Sequence, residues 1–129
     1  MSNAFASKRI LCVEDNPDIC ELVAAILIKY EVLSSDGESD AWKKYESNEF
    51  SLIVLDYHLA DGDGLELCRR IRRHEPDVPI IFITNDIDLI DETVLAAGGN
   101  RLIHKSAFGF IDELLETVET ILGEQPAVA

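Results

Sequence analysis

Five short apolar runs recur along the chain, and each is followed by a stretch whose apolar residues return every three or four positions. The runs are Ile10 to Val13, Glu31 to Leu33, Leu52 to Leu55, Ile80 to Ile83, and Leu102-Ile103. Several are continuous rather than alternating, which suits strands buried on both faces. The stretches between them carry helical faces. Ile19, Leu22, Val23, Ile26 and Leu27 follow a cap and first-turn proline at Asn16-Pro17, and Ala41, Trp42 and Tyr45 follow Ser39, a candidate cap. Leu65, Leu67, Cys68 and Ile71 end at Glu75-Pro76, while Ile87, Ile90, Val94 and Leu95 end at Gly98-Gly99. Ile111, Leu114, Leu115, Val118 and Leu122 mark the fifth helix.

Strand and helix in alternation require crossovers, and right-handed crossovers give a parallel sheet with helices on both faces. The expected fold is α/β, doubly wound and flavodoxin-like, with five parallel strands in the order 2-1-3-4-5. Ligands of such sheets bind beyond the carboxyl ends of the strands, here between strands one and three.

At 129 residues the chain fits one domain. The division expected is a tag scar at 1-4, the domain at 5-123 and a linker stub at 124-129. A net charge of −14 disfavours nucleic acid and anionic lipid as direct partners. Cys12, Cys20 and Cys68 are odd in number and scattered, which suits reduced thiols in a cytoplasmic protein. No run is long enough to span a membrane.

The expected topology brings chemistry to one edge. Strand one runs into Glu14-Asp15, strand three ends in Asp56, strand four in Thr84, and strand five leads to Lys105. Three converging carboxylates cannot all stay ionised without a cation, and a hard divalent ion, Mg²⁺, is the expected partner. Thr84 adds a hydroxyl and Lys105 a positive charge across a gap the size of a phosphoryl group. Asp56 is then a nucleophile held on a strand.

From Arg9 to Leu122 these motifs resemble the receiver domain of two-component response regulators. The resemblance implies that Glu14, Asp15 and Asp56 hold Mg²⁺ and that Asp56 accepts a phosphoryl group from a histidine kinase or phosphotransfer protein. Thr84 and Lys105 would respond to it. The domain would assist its own phosphorylation and slow dephosphorylation, a signalling switch rather than a conventional enzyme. His58, Asn85 and Asp86 would flank the phosphoryl group and tune its lifetime. The chain departs from the family pattern at Leu102 (usually aromatic), Ser106 (usually a proline after a cis bond), Ala60 and Asn85. Those departures keep open an adaptor that binds its partner regardless of phosphorylation; a Mg²⁺-dependent hydrolase would need a substrate cap the chain lacks.

The remaining features have plainer expectations. Asp61-Gly62-Asp63-Gly64 lacks the spacing of a calcium loop and suits a turn. His58, His74 and His104 are expected at the surface, Arg69, Arg70, Arg72 and Arg73 on a solvated helix face, and Trp42 in helix packing. Helix five has acids but no Lys or Arg, which opposes a dimer through it. The apolar first helix, with Ile28 outside its core stripe, is the expected docking site for a phosphotransfer partner.

Overall fold

The structure, a computed structural model, describes residues 8–123. The expected tag scar and linker stub lie outside them. β1 (Arg9–Val13), β2 (Glu31–Ser35), β3 (Leu52–Asp56), β6 (Ile80–Thr84) and β7 (Arg101–His104) form one parallel sheet in the order β2-β1-β3-β6-β7. This is the expected 2-1-3-4-5 order. The numbering differs because the loop after β3 holds a two-residue hairpin, β4 (His58–Leu59) against β5 (Gly62–Asp63).

Period-two geometry divides the sheet residues between two cores. Leu11, Val13, Ile53, Leu55, Phe82 and Leu102 face one side, packed with residues of α2 (Glu38–Ser47), α3 (Gly64–His74) and α4 (Asp91–Ala97). Ile10, Cys12, Val54, Ile81, Ile83 and Ile103 face the other, with residues of α1 (Pro17–Ile26) and α5 (Phe110–Ile121). Both β3 and β6 are buried at every position, which accounts for their unbroken apolar sequences.

Local side chains cap the starts of α1 and α3. Asn16 caps α1 by accepting from the Asp18 N–H (2.9 Å), with Pro17 in the first turn. Asp63 caps α3 by accepting from the Glu66 N–H (2.9 Å). Ser39 does not cap α2, which begins one residue earlier. The Glu38 and Ser39 N–H groups donate instead to Asp61 Oδ1 (2.7 Å) and Oδ2 (3.1 Å), so the cap comes from the hairpin turn. The acidic turn thus caps two helices, and hydrogen bonds hold Asp61 below the usual carboxylate range.

The fourth helix is shorter than its apolar spacing suggests. Ile87 and Ile90 precede α4 and are exposed, as is Leu95 within it; Val94 and Ala97 supply its buried side, and Leu89 is buried in the loop ahead of it. Ile111 is also exposed, and Phe110 takes the core position. The arginine cluster is not simply solvated. Arg72 donates to Gly98 O (2.8 Å), Glu75 O (3.2 Å) and Asn100 Oδ1 (2.9 Å), tying α3 to the turn after α4. Arg70 lies 3.9 Å from the centre of the Trp42 ring, which also packs on Tyr45 and His74.

Candidate phosphoryl-accepting site

The parallel register places the chemistry at one edge. Leu55 pairs with Val13 of β1 and with Phe82 of β6, so Asp56 stands beside the start of the Glu14-Asp15 turn and one residue short of Thr84. Thr84 in turn pairs with His104, just before Lys105. Gly64 makes this edge possible: a Cβ there would come 2.3 Å from Asp56 O and 3.0 Å from the Phe82 ring. Its N–H donates to Tyr57 O (2.7 Å), holding the start of α3 against the end of β3.

Glu14, Asp15 and Asp56 each bring a carboxylate oxygen within 4.8 Å of the others. Asp15 is exposed, whereas Glu14 and Asp56 are 1% and 4% exposed. Burial, and then the charge of Glu14, push Asp56 up to about 7, while Lys105 works in the opposite direction. Donors of this kind, all carboxylate oxygens with an excess of negative charge, suit a hard divalent ion such as Mg²⁺.

Lys105 sits on the carboxylates themselves rather than across a gap. Its Nζ donates to Glu14 Oε1 at 2.8 Å and lies 3.4 Å from Asp56 Oδ1. Burial alone would lower its pKa, but the Glu14 hydrogen bond and the two negative charges carry it upward. Glu14 is committed through both oxygens, because Oε2 accepts from the Asn16 N–H (3.1 Å). Sequence order could not show this pair, since its members lie 91 residues apart.

Thr84 is fully buried, and its Oγ1 accepts from the Asp86 N–H (3.0 Å), which leaves its O–H to donate. His58 Nε2 and Asp86 Oδ2 lie 3.1 Å apart, joining the β4 hairpin to the loop after β6. That contact holds Asp86 below its ordinary range. Asn85 and Ser106 are exposed, and Leu102 is buried among the α4-side residues. Among the described residues no peptide bond is cis, so Lys105–Ser106 is trans.

Next to the cluster lie two thiols. Cys20 Sγ donates to Glu14 O (3.2 Å) and shares a hydrogen bond with Cys12, which brings Cys20 down to about 7. The same bond, with burial, holds Cys12 well above its usual value.

Comparison with known proteins agrees with this geometry. Residues 10–119 match the response regulator receiver domain family. The response regulator ArlR of Staphylococcus aureus is 35% identical over 121 residues, covering 92% of this chain and 54% of its own length. The response regulator receiver protein CpdR of Brucella abortus is 37% identical over 79 residues, covering 60% of this chain and 66% of its own. The chain therefore spans about half the length of the staphylococcal relative and about two thirds of the Brucella one. Among solved structures, the CheY-like receiver domain protein of Methanospirillum hungatei superposes with a TM-score of 0.82 at 29% identity, over 92% of this chain and 95% of that one. The response regulator TrrA of Thermotoga maritima, in complex with Mg(2+)-BeF, superposes with a TM-score of 0.79 at 32% identity, over 88% and 98%.

Proposed function

The chain belongs to the response regulator receiver family, the phosphoacceptor modules of two-component signalling, and from that premise we propose that Asp56 is the acceptor of a phosphorylation-dependent switch. The observation that carries the reading is a buried Asp56 carboxylate meeting Glu14, Asp15 and the Lys105 ammonium at one sheet edge. The donor is the phosphohistidine of a histidine kinase or phosphotransfer protein, in the cytoplasm.

In the reaction an Asp56 oxygen attacks phosphorus as the P–N bond to the donor imidazole breaks. The bond's electron pair stays on the imidazole nitrogen, and Asp56 becomes an acyl phosphate. Such transfers depend on positioning and charge neutralisation more than on covalent help. Mg²⁺, when bound, supplies neutralisation to the carboxylates and phosphoryl oxygens. Asp15 and Asp56 would hold it directly, with Glu14, already engaged on both oxygens, completing the acidic set. Lys105 balances the remaining charge by turning from Asp56 toward the phosphoryl group while Glu14 keeps it at the edge. The Thr84 hydroxyl donates to a phosphoryl oxygen, which draws the loop after β6 inward. His58 and Asp86 form the rim beside Asn85 through which donor and water pass.

Incubation with a small-molecule acyl phosphate and Mg²⁺, followed by intact mass measurement, tests the assignment. Wild type should gain one phosphoryl group and Asp56→Asn none; no gain in wild type, or an equal gain in the variant, would sink it. For an adaptor indifferent to phosphorylation, a partner would bind wild type and Asp56→Ala equally. A tenfold loss in the variant, about 1.4 kcal/mol, excludes the adaptor.

A further inference from the structure

We infer that the groove between α5 and the open edge of the sheet is a docking site for a basic amphipathic helix of a partner protein. β7 pairs only with β6, so the sheet ends there, and the hollow between its start and α5 measures about 620 Å³. One wall is made by Pro79 and Asn100, which lead into β6 and β7; the other is α5, and no residue of α4 lines it. Phe108, Asp112, Glu116 and Thr120 recur every four residues along the second wall, from the turn after Lys105 down the helix.

Two properties of the groove set the chemistry of its occupant. Phe108 is fully exposed at one end and Ile121 is 36% exposed at the other, so both ends present apolar surface to water. Aromatic rings gain the most from burial and are common anchors of protein interfaces. Between the two ends the charge is negative. Arg101 and Glu113 pair with each other at 3.3 Å, whereas Asp112 and Glu116 are exposed and in no ion pair among the described residues. A partner helix meets these two acids with lysines or arginines one turn apart and covers Phe108 and Ile121 with large apolar side chains. The 12 residues of α5 span about 18 Å, room for about three turns of such a helix.

Other occupants fit less well. A net charge of −14 repels nucleic acid phosphates and anionic headgroups. A second copy would have to bring the arginines of its α3, but Arg69 pairs with Glu66 at 3.1 Å, Arg70 lies on Trp42 and Arg72 grips Gly98. None of the groove residues belongs to the acidic cluster, so the inference holds whether or not Asp56 accepts a phosphoryl group.

The test titrates the chain into a fluorescein-labelled peptide of about 14 residues, leucine on one helical face and lysine on the other, at physiological ionic strength. Anisotropy should report binding, and a leucine–glutamate peptide of the same pattern should not bind. Phe108→Ala and Glu116→Lys should each weaken binding by about fivefold or more. Glu46→Lys, the same charge change on the exposed side of α2, should alter it by less than about twofold. All three positions are exposed, and circular dichroism checks that each variant keeps the fold. No binding of the leucine–lysine peptide would overturn the site. Equal weakening by Glu46→Lys would reduce the attraction to net charge, and undiminished binding by Phe108→Ala would remove the anchor; either result overturns it too. So would preference for the leucine–glutamate peptide, or self-association of the chain that Phe108→Ala abolishes, which would give the groove to a second copy.

Discussion

Burial beside Glu14 raises Asp56 to about 7, and this makes the acceptor a source of instability at neutral pH. Between the ordinary carboxylate value of about 3.9 and that raised value, the folded chain holds a proton the unfolded chain has released. Stability from this group is therefore present below the lower value and is lost as pH rises to about 7. Asp56→Asn removes the charge and keeps the shape. It should raise the urea midpoint at pH 8, by on the order of 1–3 kcal/mol in stability, and have little effect at pH 4. A pH-independent change would reject the argument. Mg²⁺ should bring wild type toward the variant at pH 8, because a bound cation offsets the same repulsion.

Helix α2 depends on a residue far from it in sequence. Asp61 accepts from both the Glu38 and Ser39 N–H groups, so Asp61→Ala leaves the first turn without its acceptor. Amide hydrogen exchange at Glu38 and Ser39 should quicken severalfold while the β3 amides stay protected; equal protection in the variant would mean that water caps as well as Asp61 does. This cap marks where the sequence ceases to be legible. The cap at Asn16 bonds two residues on and is visible as a local pattern, as are the strands, the helices they separate and the strand-end residues at the site, whereas Asp63, read only as part of a turn, proves to cap α3. Ser39 has the right residue type for a cap, but the hairpin delivers Asp61 from 23 residues away. Ile87 and Ile90 keep helical spacing without helical backbone, because the chain after β6 continues as a loop until Asp91. The grip of Arg72 on Gly98 and Asn100 likewise exists only once α3 and α4 are packed.

Across the molecule, the net charge of −14 is felt most where like surfaces would meet. Asp112 and Glu116 on α5 are exposed, and the one arginine of β7, Arg101, is already paired with Glu113 at 3.3 Å. A symmetric dimer through α4, β7 and α5 would set acid against acid. Sedimentation with beryllofluoride and Mg²⁺ should show a monomer; a dimer abolished by Glu116→Lys would show this reasoning to be wrong. The strand order also fixes when each strand's sheet partner becomes available as the chain is made. β1 pairs with both β2 and β3, so a three-stranded seed is complete once Asp56 has been synthesised, and β6 and β7 then add in turn to one open edge. Folding in that order gathers Glu14, Asp15 and Asp56 before Lys105 exists to offset them. A nascent chain paused after β3 would hold a sheet whose acidic end is unbalanced, and the last strand to dock would also be the one that brings the counter-charge.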